Sequence, residues 1–523
     1  MPSFSSPSPW LARHARWLVA AAALLCTGFY LLLTYPRLGF PLDDAWIHQV
    51  YARSLAHTGR WEYVPGVSSA GSTAPLWTLW LALGYLPGLP FHWWAYASGA
   101  ACLVWLGQSG MALWRLLWPD RAAQAWLPGL VLVSSWPLVW AAASGMETLL
   151  FAALGLALCV HALRCASSPG VAALFTTGFM AGLLILTRPD GLILFLLILP
   201  LTLQAPASLA ARLRRQALFL FAAALPLLPY FAFNYTANGH LWPNTFYAKQ
   251  AEYAALLAIP LPERVAHLLY FSLGGPPQGW QGISAAHWLL LPGLILATWR
   301  AARRDWRQKQ LHTLLPLLWA VAHVFLYAWR LPVTFQHGRY LLAALPIWVL
   351  FGLAGWLALL PRSDPTAQQQ SGLRPAWLAN RIAAAVLVVM LLFFLSAGAQ
   401  QYRTDVAFVE GEMVAAAHWL QANTPPQALI AAHDIGAIGY FAQRPLLDLA
   451  GLISPEITSL LHDEALVAAY VAQSPAQYLV TAPGWTYPPL TTDPQKTRIL
   501  FQTDHPWTRQ QGLNNIAIYR LLP

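Results

Sequence analysis

Charge is scarce in this 523-residue sequence: 10% of its residues are Asp, Glu, Lys or Arg, against 58% hydrophobic. Soluble domains carry about 25% charged and about 45–50% apolar residues. The shortage excludes a water-soluble globular chain, and the apolar excess excludes a disordered one. Cysteine is scarcer still. Cys26, Cys102, Cys159 and Cys165 lie in or beside apolar runs, where they read as small buried hydrophobes, so no disulfide scaffold is expected. Motifs are missing too. No G-x-x-x-x-G-K-[ST] marks a nucleotide-driven pump, and no G-x-G-x-x-G after a strand marks a Rossmann-type nucleotide-sugar or dinucleotide domain. No H-E-x-x-H or similar spacing gathers the scattered His92, His161, His267, His287, His312 and His323 into a metal site. The net charge is +10, from 30 Lys and Arg against 20 Asp and Glu. With no nucleic-acid motif beside it, part of that excess reads as anchoring on the cytoplasmic side of a membrane, and no nucleic acid is expected as a partner.

What the chain has in quantity is membrane material. Its 27 Trp and 19 Tyr suit a protein with much membrane–water interface. A span needs about 20 mostly apolar residues. Candidates lie near 17–35, 93–117, 123–142, 147–164, 171–187, 190–206, 216–236, 286–300, 312–330, 340–360 and 382–398. The first is too long for a signal peptide, and Thr34-Tyr35-Pro36-Arg37 is a poor cleavage site, so it is kept as a span. Ala74–Leu89 is apolar but short, and rich in Pro, Gly and Trp. With the N-terminus inside, leaving 74–89 uncrossed puts Arg115/Arg121, Arg164, Arg212/Arg214/Arg215, the basic run 300–309 and Arg362/Arg374/Arg381 on the cytoplasmic side. That satisfies the positive-inside rule. The reading is therefore an all-α polytopic membrane protein with about 11 spans and interfacial helices in the first outer loop. Residues 1–398 form the membrane module, with outer loops 36–92 and 237–285 and an inside linker at 363–371. Residues 399–523 read as a small α/β domain outside, with β-rich runs at 428–432, 477–480 and 515–519. The expected location is the cytoplasmic (inner) membrane, with the C-terminal domain in the periplasm. No internal repeat of the kind common in secondary transporters is present.

The first outer loop holds the chemistry. Asp43 and Asp44 adjoin at the outer end of the first span, where Pro41 and either Asp suit a helix start. Trp46, Ile47, Val50, Tyr51, Ser54 and Leu55 then recur at helical spacing, as in an amphipathic helix lying in the interface. A lone Asp there would most simply cap the helix. Two carboxylates in a chain with 20 acidic residues, at a lipid-level mouth, point instead to a general base or a divalent-cation site. Other polar groups fall at outer span ends: Ser144–Thr148 with Glu147, Thr187–Gly191 with Arg188 and Asp190, 234–249 with Asn244, Tyr247 and Lys249, and Gln336–Tyr340 with His337 and Arg339. Membrane-edge charges are costly and so become functional candidates. Cations there suit a phosphate headgroup, with snorkelling anchors and local ion pairs as the competing explanations. His48, one turn beyond Asp44, belongs with this set. In the tail, His433-Asp434-Ile435-Gly436 and the run to Asp448 read as a strand, a Gly-rich turn and a second strand. The turn is taken as a packing element, its glycines serving backbone freedom.

The pattern DD-x-W-I-x-x-x-x-A-R-x-L from Asp43, followed by G-S-T-x-P-L-W from Gly71, resembles polytopic glycosyltransferases of the GT-C fold. These include protein O-mannosyltransferases, lipid A aminoarabinose transferases and bacterial arabinofuranosyltransferases. The resemblance covers about residues 17–350 and, more loosely, the tail. It implies a catalytic base at Asp43, with Asp44 beside it, and a second interfacial helix after Gly71. The implied reaction moves a sugar from a polyprenyl-phosphate donor to a hydroxyl of an extracytoplasmic glycan, lipid or protein, with inversion. Lys249, His337, Arg339 and Arg188 would steady the departing phosphate. A divalent cation at Asp43 and Asp44 stays open. The likeness of the tail to those of GT-C enzymes also implies, against the packing reading, that Asp434 and Asp448 face the acceptor, without a catalytic role. The competing expectation is a transporter or flippase that moves a lipid-linked sugar without bond chemistry.

Overall fold

The computed structural model describes residues 9–203, 208–274, 287–308, 312–360 and 375–522. The linker 363–371, residues 204–206 of one candidate span, residues 275–285 of the second outer loop and residue 286 at the start of the next span lie outside the described residues. The rest is mostly helical, with a small sheet near the C-terminus. Helix α1 (Pro9–Thr34) leads to α2 (Asp44–Thr58), a two-stranded hairpin of β1 (Glu62–Val64) and β2 (Val67–Ser68), and α3 (Pro75–Tyr85). The bundle continues with α4 (Phe91–Leu117), α5 (Trp126–Ser134), α6 (Trp136–Ala143), α7 (Thr148–Ser167), α8 (Val171–Thr187), α9 (Leu192–Ile198) and α10 (Leu209–Asn238). After α11 (Asn244–Glu252) and α12 (Leu261–Ser272) come α13 (Leu291–Gln308), α14 (Leu315–Arg330), the single turn α15 (Phe335–Gly338), α16 (Leu345–Leu359) and α17 (Pro375–Val409).

Among the described residues, five helices are long and apolar enough to cross a membrane, and seven if each of two bent pairs counts as one span. Leu24, Leu25 and Leu32 on α1 and Val389, Leu392 and Phe393 on α17 face outward, as lipid-facing side chains do. Prolines explain where the structure departs from straight spans. The run 123–142 breaks at Ser135, and Pro137 opens α6 at an angle of 59° to α5. The run 340–360 bends by 77° where Pro346 starts α16. Pro189 ends α8, so 190–203 folds as short pieces. Helices α8 and α14 are 17 and 16 residues long, about 25 Å at 1.5 Å per residue, and α10 starts seven residues before the expected position 216.

Helix α3 has 11 residues, about 16 Å, too short to cross a bilayer core about 30 Å thick. It packs against α2. That helix differs from the expected interfacial one, because residues 45–52 are buried on every side. Its outer surface is covered by the chain around 435–441: Trp46 packs on Tyr440 and Phe441, and Tyr63, beside α2, donates to the Ile435 carbonyl at 2.6 Å.

Past α17 a π-turn (Glu410–Val414) and α18 (Ala415–Asn423) lead into a five-stranded sheet: β3 (Ile430–Ala432), β4 (Leu446–Asp448), β5 (Tyr478–Val480), β6 (Thr497–Gln502) and β7 (Ala517–Leu521). The order is β4-β3-β5-β7-β6. β3 is parallel to β4 and β5, while β7 is antiparallel to β5 and β6. α19 (Glu464–Gln473) carries the crossover between β4 and β5, as a parallel connection requires. The turn after β3 is built for contact more than for backbone freedom. Of its glycines, Gly436 and Gly439 have ordinary φ, and a Cβ on either would run into Asp43 or the Tyr63 hydroxyl.

Candidate functional site

Two cavities meet at one neck. The inner cavity, about 590 Å³, has a largely apolar wall that includes Ile47, Met146, Leu192, Ile193, Leu196 and Trp329. The outer cavity, about 380 Å³, lies between the first outer loop and the C-terminal sheet. Asp44, Lys249, Arg339 and Tyr340 line both.

A buried ionic network closes one side of the inner cavity. Gly145, at φ +75°, turns the chain between α6 and α7 and sets Glu147 at the α7 N-terminus, where the helix dipole favours a carboxylate. Glu147 meets His48 Nε2 at 3.2 Å and Arg188 Nη1 at 2.6 Å. Arg188 stands in extended backbone ahead of Pro189. It donates to Asp190 at 3.2 Å and to the Tyr327 hydroxyl at 2.7 Å, and Tyr327 donates to Asp190 at 3.0 Å. His48 Nδ1 lies 3.2 Å from Thr78 Oγ1 on α3. Thus His48, Glu147, Arg188 and Asp190 form one hydrogen-bonded set, and buried charges survive when paired in this way.

At the neck, Arg339 follows a run of left-handed backbone: Gln336 at φ +53°, His337 at +59° and Gly338 at +68°. Such φ values in non-glycine residues cost about 1–3 kcal/mol each and need outside support. His337 supplies it through a 2.7 Å bond to Asp405 on α17, which also accepts from Trp140 Nε1 at 2.9 Å and Gln401 Nε2 at 2.9 Å. Beyond the turn, Arg339 Nη2 donates to Asp44 and, at 3.1 Å, to the Tyr340 hydroxyl. Arg339 is 6% exposed, yet its Nε and Nη1 have no hydrogen-bond partner among the described residues. Lys249, on α11, pairs with Glu252 at 3.0 Å. Burial alone would lower the Lys249 pKa; Glu252, Tyr253 and Asp44 outweigh it and raise it well above normal.

The carboxylates on the outer cavity wall are not alike. Asp44 faces Arg339, Glu252 faces Lys249, Asp405 faces His337, and Asp434 faces His433 at 3.0 Å. Asp43 has no cationic partner among the described residues. Its Oδ2 and Oδ1 accept the backbone N–H groups of Gly436 and Ala437 at 2.7 and 2.8 Å. Burial, with Asp434 nearby, pushes the Asp43 carboxyl up to about 7 against the pull of those amides. Burial would raise Asp44 too, but Arg339 and Lys249 overcome it and hold Asp44 below the usual carboxylate range. The two neighbours therefore differ in kind. Asp43 is oriented, titrates near neutrality and keeps lone pairs free. Asp44 is a fixed anion that positions cations.

The expected residues fall into three groups. Asp44, Lys249 and Arg339 meet at the neck; His48, Glu147, Arg188 and Asp190 line the inner cavity; Asp43 and His337 line only the outer one. Two stand apart and line neither of these two cavities. Tyr247 packs on His240 and Phe246 near the surface. Asn244 holds the α11 start to the loop before α3, its N–H bonding Ala70 O at 2.9 Å and its Oδ1 accepting from Asn238 at 2.7 Å. Sequence reasoning did not pick out Glu252, Asp405, Tyr327 or His433; it named Tyr340 within the run 336–340 and Asp434 with Asp448 as the alternative to the packing reading of the tail, and of those two acids Asp434 lines the outer cavity. Only chain folding brings these together. A divalent cation does not fit between Asp43 and Asp44 as they stand. The former's oxygens hold amides, the latter's charge is met by Arg339 and Lys249, and among the described residues no three His, Cys, Asp or Glu side chains converge.

No curated protein matches this chain. A domain family of unknown function, DUF8728, matches residues 395–519. Solved structures are more informative. The chain is similar to the oligosaccharyltransferase AglB of Archaeoglobus fulgidus in complex with an inhibitory peptide and a dolichol-phosphate, with TM-score 0.60 and 13% identity over 90% of this chain and 70% of that one. It is also similar to ArnT of Cupriavidus metallidurans. The apo state gives TM-score 0.56 and 16% identity over 96% of this chain and 97% of that one. The form bound to undecaprenyl phosphate gives 0.55 and 15% over 98% of each. At such identities the likeness establishes the fold. The chain has the GT-C fold that its first-loop pattern resembles, and it is an integral membrane protein.

Proposed function

We propose that this protein is a membrane glycosyltransferase that moves a sugar from a polyprenyl-phosphate donor to a hydroxyl of an acceptor outside the cytoplasm. The observation that carries the reading is the neck. Among the described residues, a buried guanidinium keeps its Nε and Nη1 unpartnered beside a lysine, where a more apolar chamber meets a more polar one. Unpaired buried donors are costly, and a phosphate oxygen is the partner that suits a guanidinium. The inner chamber takes the start of the prenyl chain, the neck takes the phosphate, and the acceptor enters from the outer chamber. The solved relatives in complex with dolichol-phosphate and undecaprenyl phosphate support this assignment.

The chemistry follows from the placement of Asp43 on the acceptor side. Asp43 takes the proton of the acceptor hydroxyl as its oxygen attacks the anomeric carbon. The bond from that carbon to the phosphate oxygen breaks, and its electron pair leaves on polyprenyl phosphate. Arg339 and Lys249 stabilise the growing negative charge. Phosphate needs no acid to leave, so one base suffices and a single displacement inverts the anomeric centre. Asp44 keeps Arg339 and Lys249 in place.

The topology adopted with this reading has about 11 spans, the N-terminus inside the inner membrane and the C-terminal domain (399–523) in the periplasm. The test is to incubate purified protein with a polyprenyl-phosphate sugar and candidate glycan, lipid and peptide acceptors. Release of polyprenyl phosphate with a glycosylated acceptor supports the transferase. Movement of the intact lipid-linked sugar across proteoliposomes without release would make the protein a carrier.

A further inference from the structure

The outer cavity has a makeup of its own. Five carboxylates line it (Asp43, Asp44, Glu252, Asp405 and Asp434) against two fixed cations (Lys249 and Arg339) and two histidines (His337 and His433). Both fixed cations sit at the neck, so the fixed charges on the remainder of the wall are acids, set among aromatic side chains and a few aliphatic ones. Trp485 is presented by a tight turn in which Gly484 takes φ +96° and Ala482 pairs with Trp485. It stacks on His433 with ring centroids 4.8 Å apart and planes 19° from parallel. Tyr253 and Trp507 extend the aromatic wall. His433 is 7% exposed, and its Nε2 has no hydrogen-bond partner among the described residues; the nearest acid, Glu252, is 3.8 Å away. A buried ring nitrogen left open on a cavity wall, beside the carboxylate of Asp434, calls for a polar ligand atom.

We infer that this cavity is the acceptor subsite and that the acceptor is a sugar ring without negative charge. Trp485 and its neighbours wall the apolar face of the ring, His433 Nε2 and Asp434 hold its hydroxyls, and one further hydroxyl is directed to Asp43. The choice of class rests on charge and shape. Carboxylates accept hydrogen bonds from hydroxyls and repel a phosphate or carboxylate on the acceptor. An aromatic wall suits a ring with one apolar face better than an extended peptide. The inference rests on the transferase reading for what the acceptor does, while its binding claim is separable. His433 and Asp434 come from the turn after β3, so the C-terminal sheet supplies part of the site.

The experiment measures binding without turnover. Saturation-transfer NMR is recorded on the full chain in nanodiscs with methyl glucoside, galactoside, mannoside and arabinofuranoside, a serine-containing peptide and a glycerol phosphate headgroup. Undecaprenyl phosphate binding is followed in parallel on the same samples. The expected result is saturation of at least one neutral methyl glycoside. Trp485→Ala and His433→Gln should each weaken it at least about tenfold, the scale of one lost charged or aromatic contact, while undecaprenyl phosphate binding stays within about twofold. That retained binding also certifies that both variants fold. The inference is overturned if no neutral glycoside binds while undecaprenyl phosphate does. It is equally overturned if glycoside binding is the same in Trp485→Ala, or if the peptide or the glycerol phosphate binds instead and depends on Trp485. Loss of undecaprenyl phosphate binding in the wild type would count against the donor site, separately from the acceptor claim.

Discussion

The two chambers divide their charges unequally. The inner one sets Arg188, Lys249, Arg330 and Arg339 against Asp44, Glu147 and Asp190. The outer one sets Lys249 and Arg339 against five carboxylates. Their walls differ in degree as well, with more aliphatic side chains inside and more aromatic ones and acids outside. An anion with a lipid chain suits the first and a hydroxylated neutral molecule the second, and a transfer reaction needs its base on the acceptor's side. Asp43 and Asp44 repeat the contrast within two adjacent residues: one is held by amides and open to protons, the other locked to a guanidinium.

The largest effect expected from breaking this contrast is at Asp43. Asp43→Asn should cut transfer by about 10²–10⁴-fold, the usual contribution of a general base, with undecaprenyl phosphate affinity unchanged. Single-turnover rates and a binding assay on the same preparation check both halves. Next comes the inner network. Glu147→Gln takes an anion from Arg188 and His48 inside the bundle, and removing one partner of a buried pair costs about 3 kcal/mol. A lower melting temperature in detergent is the readout. Arg339→Ala should weaken undecaprenyl phosphate binding by about 10–100-fold, from hydrogen bonds to a charged group worth about 1.5–3 kcal/mol, with Arg339→Lys intermediate.

The pH dependence sharpens the contrast more gently. Asp43 titrates at about 7, and only its ionised form accepts the proton, so kcat/KM should fall as pH drops through about 7. Removing the neighbouring negative charge with Asp434→Asn should move that midpoint to lower pH; a midpoint that stays or rises would place the titrating base elsewhere. The smallest effect belongs to Tyr247→Phe. Its ring lies outside both cavities, so transfer should stay within about twofold, the scale of substitutions away from such features.

The sequence made the membrane character legible, because span length and scarcity of charge are local properties. It also made Asp43 and Asp44 legible, as adjacent acids where a loop turns into a helix. Lys249, Arg188 and Arg339 stood out because charges at span ends are rare. What stayed hidden was pairing. Asp44 and Arg339 are 295 positions apart and Asp43 and Gly436 are 393 apart, and no periodicity encodes such meetings. The role of Gly436 was misread for the same reason: its missing side chain makes room for Asp43, a partner that no local pattern names. Strand β6 escaped because it lies at the sheet edge with Ile499 and Leu500 both exposed, so it lacks the alternation that marks a half-buried strand. The break in α5–α6 could have been anticipated from Ser135-Trp136-Pro137, since proline readily opens a new helix.

The most direct test is a structure of the chain in nanodiscs with undecaprenyl phosphate. The account predicts density for the phosphate between Arg339 and Lys249, the first isoprene units against Ile193 and Leu196, and an empty path from the phosphate to Asp43. A phosphate seated in the outer cavity beside His433 and Asp434, or a lipid bound away from Arg339, would contradict it.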